Sequence, residues 1–142
     1  MTTQRSLPNP TVWLTLQAHD AAALIDYYTT TFGFVVAARY DGDDGTVAHA
    51  ELRWPEGVGG IMMGSYRPER AWCREPGCAG GYVATADPDA LYRRVCESHA
   101  EVVVPLADTD YGSREFAVRD PEGNLWSFGS YPGAPAPVGK AQ

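Results

Sequence analysis

The side chains best equipped for chemistry are few, and two of them stand two residues apart. His49 and Glu51 flank one alanine in the run Val47-Ala48-His49-Ala50-Glu51-Leu52-Arg53. In an extended segment residues i and i+2 share a face, so an imidazole and a carboxylate would project together. Such a pair is suited to general acid–base work. As a metal site it is thin, since catalytic zinc usually has three protein ligands. A hydrogen-bonded histidine, and a Glu51 paired with Arg53 or Arg114, are the plainer readings of the same residues. His19 and His99 fall beside a helix start and near a helix end and read as structural. Cys73, Cys78 and Cys96 make an odd set without a CxxC pair. They read as thiols in a reducing, cytoplasmic compartment, not as a disulfide framework or a zinc site.

Two similar runs of elements must position these groups. Val12–Gln17 is rich in β-formers and predicts a strand. Asp20 is a good N-cap for a helix over Ala21–Phe32, with Gly33 as its stop. Strands follow near Phe34–Tyr40, Thr46–Trp54 and Gly60–Ser65, the first two joined by the turn Asp41-Gly42-Asp43-Asp44-Gly45. The plan then repeats. Gly80–Ala86 predicts a strand, and Asp87 caps a helix over Asp89–Ser98 with Pro88 at its first position. Strands follow near Val102–Pro105, Arg114–Arg119 and Asn124–Ser130. A shift of 67 residues carries Asp20 onto Asp87, Leu24 onto Leu91 and Val35 onto Val102. Two copies of a β-α-β-β-β unit are a duplication and not a solenoid.

The bulk composition narrows the function class. At 142 residues the chain holds one domain's worth of core. A net charge of −7 excludes a phosphate-binding surface and an anionic membrane as partners. Its longest apolar runs are too short to span a bilayer, and Met1–Arg5 lacks the layout of a signal peptide. Residues 1–10 and 132–142 read as tails around a single domain at 11–131. Its modules lie at about 11–66 and 79–131. Lys140 is the only lysine among eleven basic residues, a bias of high-GC bacterial genomes.

Two segments carry a family resemblance. Asp20-Ala21-Ala22-Ala23-Leu24-Ile25-Asp26-Tyr27-Tyr28, followed by Phe32-Gly33-Phe34, is similar to the opening signature of vicinal oxygen chelate domains. Tyr111-Gly112-Ser113-Arg114-Glu115-Phe116, with Asp120-Pro121-Glu122-Gly123-Asn124-Leu125-Trp126, resembles their ending in glyoxalase-like and bleomycin-resistance proteins. The resemblance implies an α+β fold: two tandem βαβββ modules forming a curved, half-barrel sheet around a cleft. It also implies a homodimer whose clefts use both chains.

Metal-dependent relatives hold one divalent ion with His or Glu from four strands. Carried over by spacing, those seats fall on Trp13, on Glu51, on Gly80 or Tyr82, and on Ser127. Only Glu51 is a ligand, so no metal or other cofactor is expected. What remains is a cleft for a small-molecule ligand, with Trp13, Tyr82, Tyr66 and Trp72 offering flat faces. His49, Glu51 and Ser127 would be its polar contacts, and Arg114 an anchor for a carboxylate or phosphate. The expectation is a protein that binds or sequesters an aromatic natural product, as in antibiotic resistance. The alternative is a metal-dependent lyase, isomerase or dioxygenase of the glyoxalase-like class, with catalysis on His49 and Glu51 as a third reading.

Overall fold

The structure, a computed structural model, describes residues 8–138. The expected tails therefore fall partly outside the described residues, at 1–7 and 139–142. Module one runs β1 (Leu14–Ala18), α1 (Ala21–Tyr27), β2 (Val35–Asp41), β3 (Val47–Arg53) and β4 (Gly60–Ser65). Module two runs β5 (Gly80–Ala84), α2 (Pro88–Glu97), β6 (Glu101–Asp108), β7 (Arg114–Arg119) and β8 (Leu125–Gly129). Each module makes one open four-stranded sheet, in the orders β1-β4-β3-β2 and β5-β8-β7-β6. The first two strands of each order are parallel and the other pairs antiparallel. The duplicated α+β plan is therefore present as two mixed sheets, and neither closes into a barrel.

Both helix starts follow from their caps. Asp20 Oδ1 accepts from the Ala23 amide at 3.1 Å, and Asp87 Oδ1 from that of Ala90 at 3.0 Å. The first helix departs from expectation at its far end, where Tyr28–Phe32 form a π-helical turn. The cause lies in Thr29-Thr30-Thr31. Thr29 and Thr30 hydroxyls both donate to the Asp26 carbonyl, at 3.0 and 2.7 Å, and compete with the α-helical ladder there. β6 is longer than expected and passes through Pro105. It is an edge strand, and its register slips between Val104 and Ala107, so the missing amide costs no ladder bond.

Alternation gives each sheet a buried and an open face. Leu16, Leu52 and Ile61 of module one and Val83, Phe116, Trp126 and Phe128 of module two enter a single core with both helices. The first helix crosses onto the second sheet. Tyr28 meets Trp126 edge-on at 5.2 Å, and Phe32 meets Phe128 at 4.7 Å. Arg94 of α2 donates to the carbonyls of Thr30 and Thr29, at 3.1 and 3.0 Å, and so closes the end of that helix.

The turn Asp120–Asn124 locks the modules together. The Asp120 carboxylate is 3% exposed. It accepts from the Tyr28 hydroxyl at 2.6 Å, the Asn124 amide side chain at 2.9 Å and the Trp126 indole at 3.1 Å. Backbone amides of Glu122 and Asn124 reach its other oxygen at 2.9 and 3.0 Å. Burial and the neighbouring Asp120 charge push the Tyr28 phenol far above its ordinary range. Two residues on, Glu122 reaches back to module one. Its two carboxylate oxygens accept from the amides of His19 and Asp20, at 2.8 and 2.9 Å, at the start of α1.

Candidate binding cleft

The open faces carry most of the expected site residues. On module one, Trp13, Thr15 and Gln17 of the first strand lie beside Gly60, Met62 and Gly64 of β4. Beyond these come His49, Glu51 and Arg53 of β3, then Val35, Ala38 and Tyr40 of β2. On module two the face holds Gly80, Tyr82 and Ala84, Leu125, Ser127 and Gly129, then Glu115, Ala117 and Arg119, with Val104 at the edge.

The His49–Glu51 pair is formed. His49 Nε2 donates to Glu51 Oε2 at 2.8 Å, and Tyr40 lies over the imidazole at 6.4 Å with the rings 20° apart. Glu51 thus has a histidine partner where the sequence offered Arg53 or Arg114. Arg53 is directed elsewhere: its guanidinium lies 6.0 Å from the Trp13 ring and donates to the Pro8 carbonyl at 3.0 Å.

Arg114 does not join the cleft. It follows Phe116 and Val118 onto the helix side of β7, where it donates to Asp89 of α2 at 2.6 Å and to Asp108 at 3.0 Å. Those two carboxylates raise its pKa further above an already high value. Both are acceptors a ligand carboxylate would have to displace, and Arg114 stands as an ion pair on the helix side of the sheet.

Trp13 and Tyr82 meet across the seam between the modules. They line one cavity of about 680 Å³ with Phe34, Trp54, Val58 and the backbone of Gly59-Gly60 and Gly80-Gly81. Glycine is required at 60, because a Cβ there would sit 2.7 Å from the Trp13 ring. The Trp13 ring therefore packs directly against Gly60 of β4. Trp54, whose indole donates to the Ala84 carbonyl at 3.0 Å, fixes the far wall and bridges the modules. A second concavity of about 310 Å³ lies over module one and brings His49 and Trp72 together with Gln17, Met62 and Arg67. Trp72 is 78% exposed on the linker. The linker is tied to β1 where the Arg74 amide donates to Gln17 Oε1 at 2.7 Å. Tyr66 faces away from both, its ring edge-on to His19 and its hydroxyl on Glu75. Ser127 sits beside Tyr82 in the sheet register.

The metal seats are clarified by the internal symmetry. Tyr82 pairs with Ser127 in module two, and Thr15 pairs with Met62 in module one. The counterpart of Ser127 is therefore Met62. Glu51 stands one strand further out, opposite Met62 on β3, and its own counterpart is Ala117. A threonine, a methionine, a tyrosine and a serine do not make a site for a hard or borderline divalent ion. Among the described residues no group of three or more His, Cys, Asp or Glu is placed to hold a metal. The residues present do not fit the family's ion.

Known proteins agree with this architecture. A model of the Glyoxalase/Bleomycin resistance protein/Dioxygenase superfamily matches residues 11–128. The chain belongs to that superfamily. An uncharacterized protein of Mycobacterium bovis is 33% identical over 123 residues, covering 80% of this chain and 78% of that one. Among solved structures, TioX from Micromonospora is 30% identical with a TM-score of 0.71, over 88% of this chain and 98% of its own. TnmS3 of Streptomyces, an antibiotic binding protein, shares the fold at 20% identity and a TM-score of 0.64. The match covers 90% of this chain and 97% of TnmS3.

Within the superfamily frame, the sequence reading passed over Trp54, Gly59, Gly60 and Glu115. Trp54 and the glycines at 59–60 shape the seam through tertiary contact alone. Glu115 was legible in principle, since alternation from buried Phe116 puts it on the open face. There it accepts from the Tyr111 hydroxyl at 2.6 Å.

Proposed function

We propose that this superfamily member binds a planar aromatic natural product in the seam and holds it without a metal and without chemical change. The observation that carries the reading is the 680 Å³ cavity walled by Trp13, Trp54 and Tyr82. Its volume falls within the range of roughly 300–1,000 Å³ typical of small-molecule sites. The description of TnmS3, which shares the fold, as an antibiotic binding protein supports binding over catalysis in this reading.

The binding unit in this reading is a homodimer. Val35, Tyr40, Val104 and Leu125 leave both open faces partly apolar and exposed in the single chain. A second copy would cover them and complete each cleft. Three free cysteines fit a reducing, cytoplasmic setting.

Trp13→Ala tests the reading. Stacking on one ring is worth roughly 1–3 kcal/mol, so planar ligands should bind about tenfold to a hundredfold more weakly. The ligand should be recovered unmodified after prolonged incubation. Unchanged affinity in the variant would remove the basis of the proposal.

A second reading is favoured by one observation, the 2.8 Å contact between His49 and Glu51. On that reading Glu51 orients the imidazole, and His49 acts as a metal-free general base. Turnover of a glutathione hemithioacetal or a catechol, abolished by His49→Ala, would establish it in place of simple binding. On the binding reading, His49→Ala changes affinity modestly and there is no turnover to lose.

A further inference from the structure

Beside the seam, the open face of module two carries a group the binding reading leaves unused. Glu115 Oε1 accepts from the Tyr111 hydroxyl at 2.6 Å, and Oε2 lies 3.4 Å from the Tyr82 hydroxyl. Tyr82 donates its main bond to the Tyr131 carbonyl at 2.7 Å. Tyr111 and Tyr131 meet edge to face, their centroids 6.0 Å apart and their planes at 80°. Two tyrosine hydroxyls thus reach one carboxylate, and the ring of Tyr131 packs against one of the two, Tyr111.

Several features mark the cluster as built. Gly129 lies beneath it, and a Cβ there would meet Glu115 and come within 2.8 Å of the Tyr82 hydroxyl. Only glycine lets those two side chains rest on β8. The flanking backbone is fixed by side chains: Ser113 Oγ accepts from the Tyr131 amide at 3.1 Å and Ser130 Oγ from that of Arg114 at 3.0 Å. Glu115 also differs from the acidic groups around it. Asp89 and Asp108 pair with Arg114, and Glu101 pairs with Arg119. Among the described residues Glu115 has no basic partner within 4.0 Å, only neutral phenols.

An aromatic wall with a carboxylate and no internal cation is the chemistry that recognises an ammonium group. The ring faces attract a cation through their quadrupoles, and a carboxylate supplies the counter-charge. Hydrogen bonding to Glu115 raises the Tyr111 pKa and burial raises that of Tyr82, so both phenols stay neutral at ordinary pH. The net charge of −7 adds long-range attraction for a cationic ligand.

We infer that Tyr82, Tyr111, Tyr131 and Glu115 form a subsite for an organic cation, a protonated or quaternary amine. The inference deepens the binding reading and rests on it for one point. Tyr82 lines both the seam cavity and this cluster, so a ligand with a planar ring and a basic amine engages both.

The probe is choline, titrated into the full-length protein and followed by NMR shifts of the tyrosine resonances. Its neutral isostere, 3,3-dimethylbutan-1-ol, is the control for shape. Choline should bind in the millimolar range, at least about fivefold more tightly than the isostere, as expected for a cation held by exposed rings. Glu115→Gln should remove that preference. Tyr111→Leu, at an exposed position, should weaken choline similarly and carries the test if Glu115→Gln does not fold. Trp13→Ala should leave choline binding unchanged while it weakens planar ligands. Choline and isostere of equal affinity, or no shift up to about 100 mM choline, overturns the subsite. Such a result with planar ligands still lost in Trp13→Ala would leave the seam reading standing.

Discussion

The two modules share a backbone plan and differ in what they show to solvent. Across module one the central row of the open face reads Thr15, Met62, Glu51 and Ala38. The corresponding row of module two reads Tyr82, Ser127, Ala117 and Val104. One row further along, His49 with Tyr40 stands opposite Glu115 with Ala107 in the symmetry. Module one offers a histidine–carboxylate pair and an arginine stacked on tryptophan. Module two offers small and apolar positions with tyrosines around a single acid. The helix-side faces diverge far less: apart from Arg114 at the start of β7, the core-facing positions are apolar and merge into one core. Duplication therefore fixed the scaffold, while the two open faces went separate ways. The seam between them takes its aromatic walls from both modules, whereas His49 lies in the separate concavity over module one.

The comparison depends on the modules staying locked, and Asp120 is where that lock is most exposed to attack. Asp120→Ala strands the buried Tyr28 hydroxyl, the Trp126 indole and the Asn124 amide at once. Each orphaned donor costs about 1–3 kcal/mol, so the variant should lose more than about 3 kcal/mol. Urea unfolding followed by tryptophan fluorescence would measure it. A loss below about 1 kcal/mol would mean that the Asp120 network is replaceable and that apolar packing with the remaining cross-module hydrogen bonds holds the modules together.

The next test sharpens the contrast between faces. If module two's apolar face meets a second copy, Leu125→Glu should turn a dimer into a monomer at micromolar concentration by light scattering. Burying an unpaired carboxylate there should cost at least about tenfold in association. Thr15→Glu, on the already polar face, should matter less. A wild-type chain that scatters as a monomer would end the dimer reading before either variant is made.

How much of this was legible depended on whether a feature was local. Asp20, Asp87 and Pro88 announced the helix starts, and the offset of 67 announced the duplication, because capping and periodicity act within a few residues. That His49 and Glu51 share a face followed from strand alternation, but their bond to each other did not, since the sequence offered Arg53 or Arg114 as the partner of Glu51. The fate of Arg114 did not. Its strand was expected, but the carboxylates that claim it come from α2 and β6, and no spacing rule joins 89 to 114. The place of Glu51 in the sheet was hidden for a related reason. Counting along the chain cannot say that β4 and not β3 lies beside β1, and the register places Met62 there. The π-helical turn was hidden in a threonine run that composition alone reads as ordinary helix.

The smallest effect probes the helix that joins the modules. Tyr27 and Tyr28 are adjacent on it, yet only Tyr28 has a partner. The Tyr27 hydroxyl is buried without one among the described residues. Burial, then the charges of Asp120 and Glu101, push its pKa from an ordinary 10.0 up to about 12. The folded state thus keeps the Tyr27 proton after the unfolded state has begun to release it. Its contribution is complete below pH 10 and is lost as pH rises from about 10 to about 12. Tyr27→Phe removes both the orphaned hydroxyl and this titration. It should be neutral or stabilising by up to about 1 kcal/mol at pH 7. It should also flatten, without abolishing, the alkaline fall in stability, because the Tyr28 phenol still resists ionisation. Tyr28→Phe should do the opposite at neutral pH, since it strips Asp120 of a 2.6 Å donor. Denaturant midpoints at pH 7 and at pH near 11 for the three proteins would decide it. A Tyr27→Phe chain clearly less stable than wild type would show that its hydroxyl has a partner after all.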